Sequence, residues 1–276
     1  MTIRTMTPAD LQLVLDWAAA EGWNPGHEDA AAFLPADPPG FLIKTVEGAP
    51  VAAISVVNHT ADHAFLGLYL CHPEYRGQGH GMAVWRAGLA HAGTRNVELD
   101  GVPAQQQNYA KSGFALCGKT VRYEGALTTG ASAHTTEAAQ ADLPALLAAD
   151  AAATGMTRAG FASAWFTRAQ TRVTLLVRSG EEITGFATAR RCGIGAKIGP
   201  LHARNAQDAM ALLHAAQERL DVSTLFVDVP DTSPALSDLL IRQGFTPVFD
   251  TARMVLGTPP TADVPPFYAI ATMELG

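Results

Sequence analysis

The sequence predicts an α/β protein built from two tandem copies of one fold. At 276 residues, the chain is too long for one typical domain and about right for two. Four short landmarks recur in the same order in the two halves. Each half reads as an early helix, strands, a central helix, a strand, a short helix and final strands. This alternation of helices and strands is typical of α/β proteins.

The repeat consists of four pairs of matching positions. They are Leu11 and Leu143, Gly48 and Gly180, Met82 and Met210, and Gly113 and Gly244. The first two pairs are each separated by 132 residues, and the third and fourth by 128 and 131. Landmarks kept in one order indicate a duplicated unit. The predicted domains are residues 1–127 and 134–276, joined by the small polar stretch 127–133, which has the composition of a linker.

Local patterns predict the elements of the first half in order. Residues 2–5 read as a strand, and Thr7 marks the start of a helix. Residues 41–43 and 51–57 flank a turn, which favours an antiparallel hairpin. The strand at 65–71 then runs into a glycine-rich loop and the central helix. The first helix has one apolar face, formed by Leu11, Val14, Leu15 and Ala18.

Composition excludes several classes of partner. The hydrophobic fraction of 48% and the charged fraction of 16% predict a well-buried core without long disordered stretches. The net charge of −7 includes no basic run, which argues against a nucleic-acid partner. No signal peptide or long apolar segment is visible, so the prediction is a cytoplasmic protein with no membrane partner. The cysteines predict neither disulfides nor a metal site, and His59 and His63 lack a third ligand in pattern.

A loop with alternating glycines follows the strand at 65–71. Gly77, Gly79 and Gly81 would let helix N-terminal amides approach an anion, and Arg76 adds positive charge. Rossmann spacing would require glycine where Met82 stands, and the Gly-Lys-Ser/Thr of a P-loop is absent. The loop therefore predicts a phosphate site of another kind.

Residues 70–81, Leu-Cys-His-Pro-Glu-Tyr-Arg-Gly-Gln-Gly-His-Gly, resemble the Arg/Gln-x-x-Gly-x-Gly/Ala motif of the GNAT acetyltransferase superfamily. The resemblance implies that this loop binds the pyrophosphate of acetyl-CoA, and that each half is a mixed, mostly antiparallel sheet flanked by helices. It also implies that the strand before the loop splays from its neighbour, freeing main-chain groups for pantetheine and the acetyl carbonyl. The coenzyme-binding residues predicted in this way are Leu70, Cys71, Arg76, Gly77, Gln78, Gly79, His80, Gly81, Met82 and Asn108.

Residues 108–114, Asn-Tyr-Ala-Lys-Ser-Gly-Phe, resemble the Tyr-x-x-x-Gly-Phe signature of the same superfamily. The resemblance implies that the Tyr109 hydroxyl lies near the thioester sulfur and is the general acid. A phenol with a pKa of about 10 can donate its proton as charge develops on the leaving sulfur. An acyl-Cys71 intermediate is not expected, so the amine should attack the thioester directly.

Candidates for the base and for acceptor binding are less distinct. The strand at 96–100 carries Glu98 and Asp100 on one face, and spacing to the tyrosine favours Asp100 as the catalytic base. A solvated strand end is the alternative for both carboxylates. Trp23 and Asn24 lie where GNAT proteins commonly bind the acceptor, although Trp23 could equally pack on the core.

The second copy has lost the features of the first. Aligned by the repeat, Gln207 stands opposite Gly79, and Leu240 stands opposite Tyr109. Residues 190–201 and 227–230 resemble the C-terminal half of a group of bacterial two-domain GNAT proteins. The second half is therefore predicted to shape the acceptor pocket, with Asp228 as a contact, and not to bind coenzyme. A purely structural partner domain is the alternative.

The resulting prediction is an N-acetyltransferase that moves acetyl from acetyl-CoA to an amine of a small metabolite, without a metal. Two alternatives remain open. The same loop would serve a longer acyl-CoA, because pyrophosphate recognition ignores the acyl group. A catalytically silent acyl-CoA sensor would also keep the loop. The sequence does not determine the oligomeric state, and a homo-oligomer is one of the alternatives.

Overall fold

The computed structural model describes residues 2–128 and 135–276, so most of the predicted linker at 127–133 lies outside the described residues. The helices are α1 (Pro8–Ala20), α2 (Asp29–Phe33), α3 (His80–Ala92), α4 (Gln106–Lys111), α5 (Leu143–Thr154), α6 (Ala159–Phe166), α7 (Ala206–Leu220) and α8 (Pro234–Arg242). The strands are β1 (Thr2–Thr5), β2 (Phe41–Val46), β3 (Ala49–Asn58), β4 (His63–Cys71), β5 (Asn96–Gly101), β6 (Ala115–Gly125), β7 (Thr135–Glu137), β8 (Arg172–Ser179), β9 (Glu182–Arg191), β10 (Ala196–Ala203), β11 (Leu225–Pro230), β12 (Thr246–Leu256) and β13 (Phe267–Ala269).

The predicted elements of the first half are confirmed. Thr7 caps α1 by accepting a hydrogen bond from the Asp10 amide, and the Asp10 carboxylate accepts one from the Thr7 amide. This capping box satisfies amides that the first helical turn leaves unpaired. β2 and β3 form the predicted antiparallel hairpin. The apolar face of α1 is buried, as its spacing predicts.

Each half contributes one strand to the other half's part of the sheet, β6 from the first half and β12 from the second. One sheet runs in the order β1-β2-β3-β4-β5-β12-β6-β11-β10-β9-β8-β7, and β13 pairs with β10 off this path. β12, from the second half, lies antiparallel between β5 and β6. β6, from the first half, lies antiparallel against β11. As a result, side chains of β12 become neighbours of the first half's central strands.

A cleft opens between β4 and β5, as the sequence predicts. The two strands pair in parallel from His63 to Leu66 of β4 and from Asn96 to Leu99 of β5, and no further. The register of β4 against β3 then shifts, and Leu68 takes a positive φ of 45°. Such a bulge bends a strand and redirects its main chain. β4 therefore leaves β5 at Gly67, which marks the apex of a V-shaped cleft.

The second half has an equivalent cleft that is filled. β10 and β11 pair in parallel from Ala196 to Ile198, and β10 then bulges before Leu201. β13 lies in the gap and pairs antiparallel with β10 at residues 201–203. The following residue, Ile270, donates its amide to the Asp228 carbonyl of β11 at 3.0 Å. The chain itself therefore bridges the two parting strands in this half.

A shared core joins the early helices of both halves. Phe33 of α2 stacks on Trp165 of α6 with ring centroids 5.9 Å apart, and Phe161 packs against both rings. The same buried cluster includes Leu11 of α1 and Leu146 of α5. Burying apolar side chains from both halves in one cluster fixes the halves against each other.

Candidate active site

A cavity of about 510 Å³ lies where β4 and β5 part. Its walls come from both halves of the chain, because β12 and the residues after β13 border the first half's cleft. The coenzyme-binding predictions that line it are Leu70, Cys71, Arg76, Gly77, Gly79, His80, Gly81 and Met82. Trp23, Asp100 and Tyr109 line the same cavity. The structure therefore brings together most of the residues that the two sequence motifs single out.

The glycine loop has the geometry of an anion cradle. Gly77 and Gly79 have φ values of 75° and 79°, a region that residues with a side chain rarely adopt. A Cβ at either position would meet no protein atom within 4 Å, so open space lies over the loop. Gly79 is the N-cap of α3, and no N-cap side chain accepts a hydrogen bond from the first helical turn. The Gly81 amide bonds the Cys71 sulfur, and a helix end of this kind can present its other first-turn amides to a phosphate.

Three polar residues among the predicted coenzyme contacts have protein partners. Arg76 donates to the Cys71 carbonyl at 3.0 Å and forms an ion pair with Glu21 at the cavity wall. Gln78 donates to the Glu74 carbonyl at 3.0 Å. Asn108 donates to the side chain of Gln105 at 2.7 Å. Gln78 and Asn108 do not border the cavity, so their coenzyme contacts stay predictions.

Tyr109 is held rigidly at the cavity wall. Its ring stacks on Trp85, with centroids 5.6 Å apart, and a Cβ at Gly101 would collide with it. The residue is 8% exposed. Burial, with a smaller contribution from Tyr69, raises the pKa of Tyr109 to about 12. The phenol therefore keeps its proton at any physiological pH and can act as a hydrogen-bond donor to a leaving sulfur.

The two predicted base candidates share one cationic partner. Asp100 accepts hydrogen bonds from Arg253 of β12 at 3.0 and 2.6 Å, and its side chain is 0% exposed. Glu98 lies on the same strand face, 3.7 Å from the same guanidinium. Hydroxyl groups of Thr120 and Thr251 also reach Asp100, at 3.4 and 3.3 Å. Because its oxygens are engaged in this way, the geometry favours a structural role for Asp100 over that of a proton acceptor.

The predicted acceptor residues have different environments. Trp23 borders the cavity, and its carbonyl accepts hydrogen bonds from Arg122 at 3.0 Å and Lys197 at 2.8 Å. Asn24 bonds the main chain of Ile194 in the second half through both side-chain atoms, and does not border the cavity. Asp228 is buried in a two-point ion pair with Arg122 and is also absent from the cavity wall. Through these bonds, Asn24 and Asp228 connect the first half of the chain to the second.

Sequence reasoning missed the cavity residues that are contributed by β6, by β12 and by the segment after β13. These are Arg122, Phe249, Thr251, Met273 and Glu274. None belongs to a motif, and the segment 271–276 has no counterpart among the repeat landmarks. Their approach to β4 depends on pairings between segments far apart in the sequence, so no local signal could have identified them.

The second half departs from the first at each matching point. The loop at residues 72–79 corresponds to residues 204–205, because α7 begins directly after β10. The Asn205 side chain accepts a hydrogen bond from the Asp208 amide, which occupies the helix end that α3 leaves uncapped. Phe114 donates its amide to the Tyr109 carbonyl, and Phe245 donates to the Leu240 carbonyl in the same way. Leu240 therefore stands in the position of Tyr109, as the repeat predicts.

Comparison with known proteins agrees with this geometry. Residues 11–114 match the model of the Acetyltransferase (GNAT) family, and residues 146–269 match that of an Acetyltransferase (GNAT) domain. Holothin acyltransferase of Pseudoalteromonas sp. (strain SANK 73390) is 33% identical over 99% of this chain and 94% of its own length. The chain belongs to the GNAT acetyltransferase family. It is a two-domain GNAT acyltransferase, and members of this family use acyl-CoA.

Two solved structures share the tandem GNAT fold. A putative acetyltransferase from Pyrococcus horikoshii superimposes with a TM-score of 0.83 at 24% identity, covering 100% of this chain and 95% of that one. A tandem GNAT protein from the clavulanic acid biosynthesis pathway superimposes with a TM-score of 0.60 at 15% identity, covering 95% and 99% of the two chains. No helix within residues 2–128 and 135–276 is long and apolar enough to cross a bilayer.

The GNAT chain should bind one coenzyme molecule. Within residues 135–276, the second half has a shortened loop, a capped helix and a cleft filled by β13, and we therefore expect it to bind no coenzyme. Isothermal titration calorimetry with acetyl-CoA should give a stoichiometry near 1 per chain. A stoichiometry near 2 would contradict the assignment of a single site.

Proposed function

We propose that the first half of this GNAT protein transfers acetyl from acetyl-CoA to an amine of a small metabolite by direct attack. The observation that carries the proposal is that the open glycine loop and Tyr109 border the same cavity. The loop residues Arg76 to Met82 would hold the coenzyme pyrophosphate through main-chain amides and Arg76. Main-chain groups of Leu70 and Cys71 would pair with the pantetheine arm. Residues 1–127 bind the donor in this proposal, and residues 134–276 complete the acceptor side.

Direct attack is favoured over an acyl-cysteine intermediate. Cys71 lines the cavity, but burial raises the pKa of its thiol. The thiolate is the nucleophilic form of cysteine, and a raised pKa makes that form scarce at neutral pH. The amine would therefore attack the thioester itself, without prior transfer of the acyl group to Cys71.

The acceptor and the acyl chain can be tested together. Release of free coenzyme thiol would be measured with acetyl-CoA and with longer acyl-CoA donors over a panel of small amines. Holothin belongs in the panel because a relative is named for it. Turnover with acetyl-CoA and at least one amine is the expected result. Faster turnover with a longer acyl-CoA would show that acetyl is not the preferred acyl group. Tight binding without any turnover would favour a sensor.

Replacing Tyr109 by phenylalanine should lower kcat about 100-fold while the fold is retained. The change removes the hydroxyl that would stabilise charge on the sulfur, yet leaves the stack on Trp85 in place. Because the pKa of Tyr109 is raised to about 12, the native enzyme should show no loss of rate from this group below about pH 11. Tyr123→Phe, a buried tyrosine outside the cavity wall, is the control and should keep native activity. Unchanged kcat in the Tyr109 variant would remove it from the mechanism.

A further inference from the structure

The segment 267–276 passes the apex of both clefts. At the apex of the second half's cleft, a Cβ on Gly199 would lie 2.3 Å from the Ile270 carbonyl oxygen. At the apex of the first half's cleft, a Cβ on Gly67 would lie 2.0 Å from the Glu274 carbonyl oxygen. These two glycines are separated by 132 residues, the same interval as the repeat landmarks. The segment therefore fills one cleft and then continues to the equivalent point of the other.

Contacts on both sides fix this segment at the first cleft. His59 of the first half bonds the Leu275 carbonyl at 2.8 Å, and Arg158 of the second half bonds the Gly276 carbonyl. Gly67 leaves room for the main chain of Glu274, because any side chain there would occupy the same space. Glu274 is thereby held where β4 leaves β5, beside the bulge at Leu68.

Glu274 borders the cavity, and its carboxylate forms no direct ion pair with a described residue. The residue is 4% exposed, and among the described residues its side chain accepts one hydrogen bond, from the Thr272 hydroxyl. Three buried cations lie nearby, but each has another partner at closer range. Arg122 pairs with Asp228, Arg190 pairs with Asp29, and Lys197 donates to the Trp23 carbonyl. One oxygen of the Glu274 carboxylate therefore accepts no hydrogen bond from the described residues, in a side chain whose residue borders the cavity.

The other carboxylates that line the cavity are already engaged. Asp100 is held by Arg253 through two hydrogen bonds. Glu21 is paired with Arg76 beside the glycine loop. An ammonium ion that enters the cavity could bind the Glu274 carboxylate without breaking an ion pair with an arginine.

We infer that Glu274 binds the acceptor's amino group and takes its proton, an assignment that rests on the proposed acetyl transfer. One proton of the ammonium ion passes to the Glu274 carboxylate, and the neutral nitrogen attacks the thioester carbonyl. The C–N bond forms and the C–S bond breaks, with its electron pair moving to the sulfur beside the Tyr109 hydroxyl. A second nitrogen proton leaves through water and ends on the coenzyme thiolate, which becomes the free thiol. Glu274 then returns its proton to solvent.

Replacing Glu274 by glutamine tests this assignment, because the change keeps the size of the side chain and removes its capacity to accept a proton. At pH 7, kcat for an amine that the native chain acetylates should fall about 100-fold or more. The loss of kcat should become smaller as the pH rises towards the pKa of a free alkylamine, since more of the acceptor is then already neutral. Acetyl-CoA affinity by calorimetry and the melting temperature should stay close to native values. Glu182→Gln, at an exposed ion pair of the second half, is the matched control.

A second variant gives an independent readout. In Glu274→Ala, added formate should restore part of kcat, because a small carboxylate can enter the space left by the side chain. Native kcat in E274Q, a deficit that is equal at every pH, or loss of folding in E274Q would each overturn the role of Glu274. These outcomes leave the proposed function standing, because the native chain still turns over. Absence of turnover in the native chain with any amine would instead overturn the proposed function and this role together.

Discussion

Acetyl-CoA affinity should fall about 100-fold or more when Gly79 is replaced by valine, equivalent to about 2.7 kcal/mol of binding free energy. Gly79 is the N-cap of α3 and has a φ of 79°, so valine would both strain the loop and place methyl groups over it. The space over the loop is where the proposed pyrophosphate contacts form, and a Cβ there meets no protein atom within 4 Å. Isothermal titration calorimetry with acetyl-CoA measures the change.

A matched glycine separates loss of the cradle from backbone strain. Gly180 has a φ of 64° in the turn between β8 and β9, and a Cβ there also meets no protein atom within 4 Å. Gly180→Val should therefore carry a similar local strain in the second half and bind acetyl-CoA with native affinity. If the Gly79 variant bound the coenzyme as tightly as the native chain, the phosphate assignment of the loop would be wrong.

Replacing Arg253 by methionine should lower the free energy of unfolding by about 3 to 5 kcal/mol. The guanidinium is the shared partner of Asp100 and Glu98, whose side chains are 0% and 7% exposed. Without it, two buried carboxylates would lose their counterion while methionine still fills much of the space. Urea-induced unfolding followed by circular dichroism measures the difference.

An exposed ion pair provides the comparison for this variant. Arg204 and Glu182 form a pair whose side chains are 61% and 59% exposed, so Arg204→Met should change the unfolding free energy by no more than about 0.5 kcal/mol. A similarly small effect at Arg253 would mean that Asp100 does not depend on the arginine. Its carboxylate would then again be a candidate for the catalytic base.

Features confined to short stretches of sequence were predicted well. The glycine loop and the Tyr109 signature each lie within about a dozen residues, and eight residues of the segment 70–81 border the same cavity as Tyr109. The start of α1 at Thr7 and the β2–β3 hairpin follow from capping and turn residues. The loss of the cradle in the second half was likewise visible from the repeat. These predictions succeed because backbone conformation and helix capping depend mainly on neighbouring residues.

The partners of the cavity carboxylates could not be predicted in the same way. Asp100 and Arg253 are separated by 153 positions, and β12 could have paired within its own half without any change in its apolar pattern. The pairing of β12 with β5 is what places Arg253 beside Asp100. The sequence therefore offered Asp100 as a base without any sign of the arginine that pairs with it.

The sequence by itself predicted the tandem GNAT fold, which is confirmed, and it singled out one loop and one tyrosine whose coenzyme roles stay predictions. The tertiary structure alone decided which residues from the second half complete the cavity. A local pattern specifies how a strand or helix forms, but the same strand can satisfy its hydrogen bonds against either half. Formation of one shared sheet and the packing of the Glu274 main chain against Gly67 select the arrangement that brings Glu274 to the first cleft.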